Sequence, residues 1–334
     1  MSAAAAGNGA PAILLERLTK SYGRSRARGV VDLDLEVGTG EVFGFLGPNG
    51  AGKTTTIRVL LDLIRPTSGR ALVLGRDSHR DTLAIQARSG YLPGELSLYA
   101  DLTGHETLRY LAALRGGVDW DYVAALVERL DCELERKVAD LSTGNKRKLG
   151  LILAFMQRPE LLILDEPTSG LDPLVQREFY RLLDEAREAG QTVFLSSHVL
   201  PEVQRVCDRV AFVREGRLVA VEDVGELMGR AVRELEVVFA EPVPPSAFEG
   251  VAGVTGVAGD GKHADTLRFT VTGSLDPVVK HLASYPVVDL VSRLPDLEDV
   301  FMTFYADDAD GGAPDRSREG VAGEPHDLGG DGAA

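Results

Sequence analysis

Gly47-Pro48-Asn49-Gly50-Ala51-Gly52-Lys53-Thr54 is the stretch that decides the fold. It follows the apolar run Val42-Phe43-Gly44-Phe45-Leu46 and precedes Thr55-Thr56-Ile57-Arg58-Val59-Leu60-Leu61, which reads as a helix. Strand, G-x-x-x-x-G-K-T/S and helix in that order are what a phosphate-binding loop requires. The glycines let successive backbone N–H groups curl toward one anion, and the helix adds the positive end of its dipole. Lys53 is placed to neutralise β- and γ-phosphate charge, and the Thr54 hydroxyl to meet Mg²⁺. An accidental Gly-rich turn rarely carries both flanking elements.

Outward from the loop, Leu161-Leu162-Ile163-Leu164 closes with Asp165-Glu166-Pro167, and Gln191-Thr192-Val193-Phe194-Leu195 closes with Ser196-Ser197-His198. Short, uninterrupted apolar runs are the mark of parallel strands covered on both faces. Pro173 to Glu188 between them reads as a helix with Pro in its first turn. Alternating strands and helices predict an α/β core with a parallel sheet, whose ligands gather at the carboxyl ends of the strands. The loop, Asp165-Glu166 and His198 all fall at such ends. Asp165 then suits Mg²⁺, Glu166 suits an attacking water, and His198 can hydrogen-bond a γ-phosphate or that water. Taken singly, Asp165-Glu166 reads equally as a polar strand end and His198 as a capping histidine.

The remaining chain divides by texture. Residues 1–11 read as a flexible leader without the basic and apolar regions of a signal peptide. Ala12 to Leu18 and the alternating Val30 to Val37 read as strands of an antiparallel sheet. Between them Tyr22 can stack on a purine, or simply sit in a turn. The helix after the loop is expected to end near Pro66, before a hairpin around Ser68 to Gly75. Residues from about 95 to 157 form a helical subdomain, with Glu106 to Arg115 one helix and Asp119 capping another. Leu141-Ser142-Thr143-Gly144-Asn145 precedes the apolar helical run Leu149 to Met156. Ser142 is a good N-cap, and with Gly144 it offers a second anion cradle. One triphosphate rarely needs two cradles, whereas two chains placed head to tail do.

After Gly229 the pattern becomes that of a small α+β domain over 230–305, with strands at Leu235 to Phe239, Thr266 to Val271 and Val287 to Ser292 and helices at Asp276 to Ser284 and Asp296 to Tyr305. His263 and His281 read as lone surface histidines. Residues 306–334 carry eight acidic against two basic side chains and almost no large apolar ones, which predicts a disordered acidic tail.

Composition narrows the function. The 334 residues carry a net charge of −15, which disfavours broad attraction to nucleic acid or anionic lipid. Cys132 and Cys207 fit no metal or redox spacing and read as reduced buried thiols. No apolar run approaches the ~20 residues of a membrane span, so any membrane part belongs to another chain.

Taken together, these motifs make residues 12–305 resemble the ATP-binding subunit of ABC transporters. In order stand Tyr22 as the A-loop aromatic, Gly47 to Thr54 as Walker A, Leu141 to Asn145 as the signature, Leu161 to Glu166 as Walker B, Ser169-Gly170-Leu171-Asp172 as the D-loop and His198 as the switch histidine. The resemblance implies an ABC ATPase core over 12–229, with antiparallel β and helical subdomains, and ATP and Mg²⁺ as cofactors. By it, ATP is bound by Tyr22, Gly47, Pro48, Asn49, Gly50, Ala51, Gly52, Lys53, Thr54, Thr55, Ser142, Gly144, Asn145 and Asp172; Lys53, Glu166 and His198 are catalytic; Thr54 and Asp165 hold Mg²⁺.

The chain departs from the family at two places. Ser-Thr-Gly-Asn replaces the common Ser-Gly-Gly-Gln, keeping Ser142 and Gly144, and Gly94-Glu95 stands where a Q-loop glutamine is usual, making Glu95 a further candidate for the metal. The ending Leu297 to Met302 is similar to the extension of ABC-2-type exporter ATPases. That implies a homodimer closing on two ATP, at the inner face of the cell membrane, driving efflux of a drug, lipid or similar molecule through a separate permease. It implies no nucleic-acid partner and no metal beyond Mg²⁺. A soluble ABC protein not coupled to transport and an ATP-dependent binding switch are the competing readings.

Overall fold

The computed structural model describes residues 10–22, 27–230, 233–259 and 265–293. The helix expected over Asp296 to Tyr305, the acidic tail, most of the leader and His263 lie outside them.

The chain opens with β1 (Ile13–Tyr22) and β2 (Ala27–Val37), an antiparallel pair in which Leu33, Leu35 and Val37 are buried while Asp32, Asp34 and Glu36 face solvent. Then β3 (Val42–Leu46), buried at every position, delivers the chain into the Gly-rich loop and α1 (Lys53–Leu60). That helix stops at Leu60, short of Pro66, because Asp62 takes φ 54° and the N–H groups of Leu63 and Ile64 both return to the Arg58 carbonyl. Beyond it lie β4 (Ser68–Val73), β5 (Arg76–Asp77), α2 (Thr82–Arg88) and β6 (Ser89–Leu92). Neither α2 nor β6 is expected from sequence; β6 has only four residues, two of them Ser89 and Gly90, and lacks an apolar signature.

The helical segment contains α3 (Gly104–Leu114), α4 (Trp120–Arg129) and α5 (Thr143–Phe155). Thr103 and Glu106 form a reciprocal capping box at the start of α3, and Asp119 caps α4 through the N–H groups of Asp121 and Tyr122. Next come β7 (Leu161–Asp165), α6 (Pro173–Glu188), β8 (Thr192–Ser197), α7 (Leu200–Val206), β9 (Arg209–Arg214), β10 (Arg217–Asp223) and α8 (Val224–Arg230).

Two sheets enclose the first core. The antiparallel sheet has order β2-β1-β4-β5, and the six-stranded sheet has order β10-β9-β3-β8-β7-β6, parallel from β9 to β6. Ile13, Leu15, Phe43, Phe45 and Phe194 pack between them, with Phe43 and Phe194 stacked at 6.1 Å. The other face of the parallel sheet buries α5, α6 and α7 through Leu149, Phe155, Phe179, Leu183 and Val203. Cys132 and Cys207 are free and buried, and burial pushes both thiols up, that of Cys132 to about 12.

A third sheet comprises β11 (Arg233–Phe239), β12 (Val254–Gly259), β13 (Thr266–Val271) and, after α9 (Asp276–Leu282), β14 (Val287–Arg293). Its order is β12-β13-β11-β14, antiparallel throughout. Its core is aromatic: Phe248 packs edge-on to Phe269 at 4.7 Å and tilted against Tyr285 at 5.4 Å. His281 is not a free surface residue. Its Nε2 lies 3.0 Å from the Ala247 carbonyl, and its ring meets Phe248, because α9 turns that face toward the sheet.

Candidate active site

Strand order brings the site together. β8 lies between β3 and β7, with Leu46 paired to Ser197 and Asp165 paired to Ser196. The ends of three strands distant in sequence therefore become neighbours: the Gly-rich loop, the Ser196-Ser197-His198 turn and Asp165-Glu166. A cleft of about 340 Å³ opens there, lined by Tyr22, Gly29, Pro48, Asn49, Gly50, Gly52, Lys53, Thr54, Thr55 and Glu166.

Gly50 and Gly52 hold φ of 83° and 106°, a region that L side chains rarely enter, and a Cβ on Gly52 would collide with the Gly29 carbonyl. The Lys53 ammonium is buried at 6% exposure, donating to the Gly47 carbonyl at 2.6 Å and lying 3.3 Å from Glu166 Oε1. Tyr22 is not in a turn. It ends β1, its hydroxyl 3.3 Å from the Thr55 hydroxyl and its ring half-exposed at the cleft rim.

Thr54 donates to Asp165 Oδ2 at 2.9 Å, and Ser196 donates to Asp165 Oδ1. Asp165 is 1% exposed, so the sheet presents a desolvated carboxylate beside a hydroxyl. Hard oxygen donors of this kind, few in number and next to a phosphate cradle, fit Mg²⁺, which keeps water and substrate phosphates as its other ligands. Across the same strand end, Glu166 Oε2 lies 2.6 Å from His198 Nδ1. Glu166 adopts φ 50°, a left-handed conformation costing a non-glycine residue about 1–3 kcal/mol. Its N–H is held by the carbonyl and hydroxyl of Ser196 at 3.1 and 3.2 Å, and its carbonyl by Arg147.

Other expected residues lie apart from this cleft. Ser142 caps α5 by accepting from Asn145 N–H at 3.1 Å, so the helix begins at Thr143, six residues before its apolar run. Gly144 abuts the Gly170 carbonyl, and neither Ser142 nor Gly144 lines the cleft. The Asn145 side chain points inward. Its Oδ1 accepts from Glu133 N–H at 2.8 Å and its Nδ2 donates to the Glu133 carbonyl at 2.7 Å, leaving the amide spent on the fold rather than turned to a ligand. Asp172 caps α6 through the N–H groups of Val175 and Leu174, which hold its carboxyl below the usual range. Glu95 is exposed and outside the cleft lining; the residue facing Asp165 is Gly94, where a Cβ would lie 3.2 Å from Oδ2.

Two site residues escape the sequence reading. Arg147 reads as one charge in a basic run, yet it is 5% exposed. Glu202, on α7, is 3% exposed; its Oε2 accepts from Ser197 at 2.7 Å while Oε1 is left without a partner. Burial pushes the Glu202 carboxyl up against the pull of Ser197 and Thr168. A carboxyl raised on folding contributes stability that is complete below its unfolded value near 4.5 and lost as pH rises. Glu202→Gln is therefore expected to raise Tm over wild type by an amount that grows across the pH range above about 4.5, measured by scanning calorimetry. A constant offset across that range rejects the assignment.

Residues 30–169 match the family model described as ABC transporter. The bacitracin transport ATP-binding protein BcrA of Enterococcus faecalis is 40% identical over 218 residues, covering 64% of this chain and 70% of that protein. The chain belongs to the ATP-binding proteins of ABC transporters. A second relative, a fluoroquinolones export ATP-binding protein of Mycobacterium tuberculosis, is 33% identical over 298 residues, 88% of this chain and 93% of its own. Among solved structures, a dimeric post-hydrolysis state of the ATP-binding cassette MJ0796 with ADP and Pi shares the fold at TM-score 0.59 and 20% identity, over 64% of this chain and 98% of that one.

This ABC protein is thus an ATPase that binds ATP and hydrolyses it for transport. The core is the P-loop α/β fold with an antiparallel subdomain and an additional carboxyl-terminal β-sheet. Among the described residues no helix is long and apolar enough to cross a membrane.

Proposed function

We propose that the chain is the ATPase subunit of an ABC-2-type exporter. Two copies close head to tail around two ATP and drive efflux of a drug-like or lipid-like molecule through a separate membrane permease. The observation carrying this reading is the division of the site. Lys53, Thr54 and Glu166 line one cleft, with Asp165 bonded to Thr54 and His198 to Glu166, while the capped start of α5 at Ser142 has no such link to it. The Mycobacterium tuberculosis relative, a fluoroquinolones export ATP-binding protein matched over nearly its whole length, supports the direction of transport.

In this reading the Gly47 to Thr54 backbone and Lys53 hold the phosphates, Tyr22 packs on the base, and Thr54 with Asp165 holds Mg²⁺. Mg²⁺ held there would supply positive charge against the phosphates. Glu166 orients the attacking water in line with the γ-phosphate, and His198 fixes the Glu166 carboxylate. Ser142 and Gly144 of a second copy supply donors on the far side of the γ-phosphate, where the α5 dipole favours the anion.

Ser142→Asp tests the arrangement cleanly. Asp caps a helix as well as Ser does, so α5 is retained, but its charge opposes a phosphate. ATP-dependent dimers, followed by sedimentation velocity in a Glu166→Gln background, are expected to vanish while each monomer still binds ATP. Dimers persisting with unchanged affinity reject the head-to-tail site.

A further inference from the structure

Arg147 occupies an unusual position for a charged side chain. Its Nη1 donates to the carbonyls of Pro93 at 2.6 Å and Gly94 at 3.2 Å. Its Nε donates to the Pro167 carbonyl at 3.2 Å, and Nη2 to the carbonyls of Asp165, at 2.6 Å, and Glu166. Five backbone oxygens from two segments thus converge on one planar fork, and each of these partners is a carbonyl rather than a carboxylate. A guanidinium is suited to this because its five N–H donors are held in a fixed plane.

Both segments matter to the chemistry. Residues 165–167 carry Asp165 and Glu166, and Pro93-Gly94 brings the chain against Asp165 Oδ2. Arg147 itself lies on α5, five residues and about 7.5 Å along the axis from the Ser142 cap. The helix is pressed on β6 closely enough that a Cβ on Gly150 would strike Leu92 and Leu96. The Ser142 cap and the guanidinium thus stand on one continuous helix. The guanidinium meets the carbonyl of Glu166, the residue held in the left-handed conformation.

We propose that Arg147 is the positioning residue that links the Ser142–Gly144 helix start to Glu166, aligning the water-orienting carboxylate when that helix start engages phosphate. The proposal rests on the roles given above to Glu166 and Ser142. The fork holds the loop at 93–94 and the turn at 165–167 in one frame, so that both shift with α5. Burial draws the guanidinium below its ordinary value and Asp165, Glu166 and Glu202 offset part of that shift; a guanidinium keeps its charge under such a pull, and with it all five donors.

The test is steady-state Mg²⁺-dependent ATP hydrolysis by the full chain in three forms: wild type, Arg147→Gln and Arg147→Lys. Each is checked for folding by its melting transition and for binding with a fluorescent ATP analogue. Arg147→Gln is expected to lower kcat by about 10- to 100-fold with KM within about two-fold, since a displacement near 1 Å has effects of that order. Arg147→Lys, which keeps the charge and three donors, is expected to recover part of the loss. Hydrolysis by Arg147→Gln within about two-fold of wild type overturns the proposal. So does loss of folding or of nucleotide binding in both variants, which makes the residue a brace of the fold alone. Glu166→Gln run in parallel separates the two readings: wild-type hydrolysis there removes the role of Glu166, while the Arg147 series is judged on its own kcat and KM.

Discussion

Glu166→Gln is expected to lower ATP hydrolysis by about 10²- to 10⁴-fold while leaving ATP bound, the range seen when a positioned acid–base group is removed. Glutamine keeps the size of the side chain but cannot take up a proton or polarise a water as a carboxylate does. The backbone that presents it is unchanged, since Glu166 N–H is held by Ser196 and its carbonyl by Arg147. The substitution also releases Lys53 from the 3.3 Å ion pair with Glu166, leaving its charge to the incoming phosphates. Binding should therefore hold or strengthen as turnover falls, and ATP-bound dimers should accumulate. Single-turnover hydrolysis beside sedimentation velocity reads both quantities. Equal hydrolysis in the two proteins removes Glu166 from the water-positioning role.

Lys53→Met is expected to have the second large effect, on binding rather than on the chemical step alone. The methionine stem fills the space of the lysine stem, so the loop backbone between Gly47 and Thr54 should keep its course. What is lost is a buried ammonium that donates to the Gly47 carbonyl and neutralises Glu166. Truncating one partner of a buried, hydrogen-bonded charge pair costs about 2–5 kcal/mol, so ATP affinity should fall by roughly 30- to 4,000-fold at about 1.4 kcal/mol per decade. Part of the loss arises because Glu166 then faces the γ-phosphate with His198 as its remaining partner in the cleft. Isothermal titration with MgATP measures the change. A Kd within about three-fold of wild type contradicts the assigned role of Lys53.

Much of the cleft is legible in the chain because its parts are local. A loop that must curl around an anion writes its glycines and lysine into eight consecutive residues, Gly47 to Thr54. A doubly covered strand writes itself as an apolar run ending in a carboxylate, as at Leu161 to Asp165. Helix caps are equally local, and Ser142, Asp119 and Asp172 all accept from the N–H groups beyond them.

The less legible features depend on residues far apart in the chain. The alternation of strands and helices established a P-loop α/β core with the residues proposed for catalysis at the strand ends, for burial and backbone hydrogen bonding leave such a pattern few other arrangements. Only the folded sheet decided that β8 runs between β3 and β7, so that His198 reaches Glu166. It also decided that Gly94 rather than Glu95 faces Asp165, and that the Asn145 amide is spent on Glu133. Above all, it turned Arg147, one positive charge in the run Lys146-Arg147-Lys148, into a buried fork for carbonyls more than 50 residues upstream and about 20 downstream. Periodicity registers which face of a helix is apolar. Which oxygens meet a guanidinium follows from how distant segments pack, and no local stretch of sequence contains that.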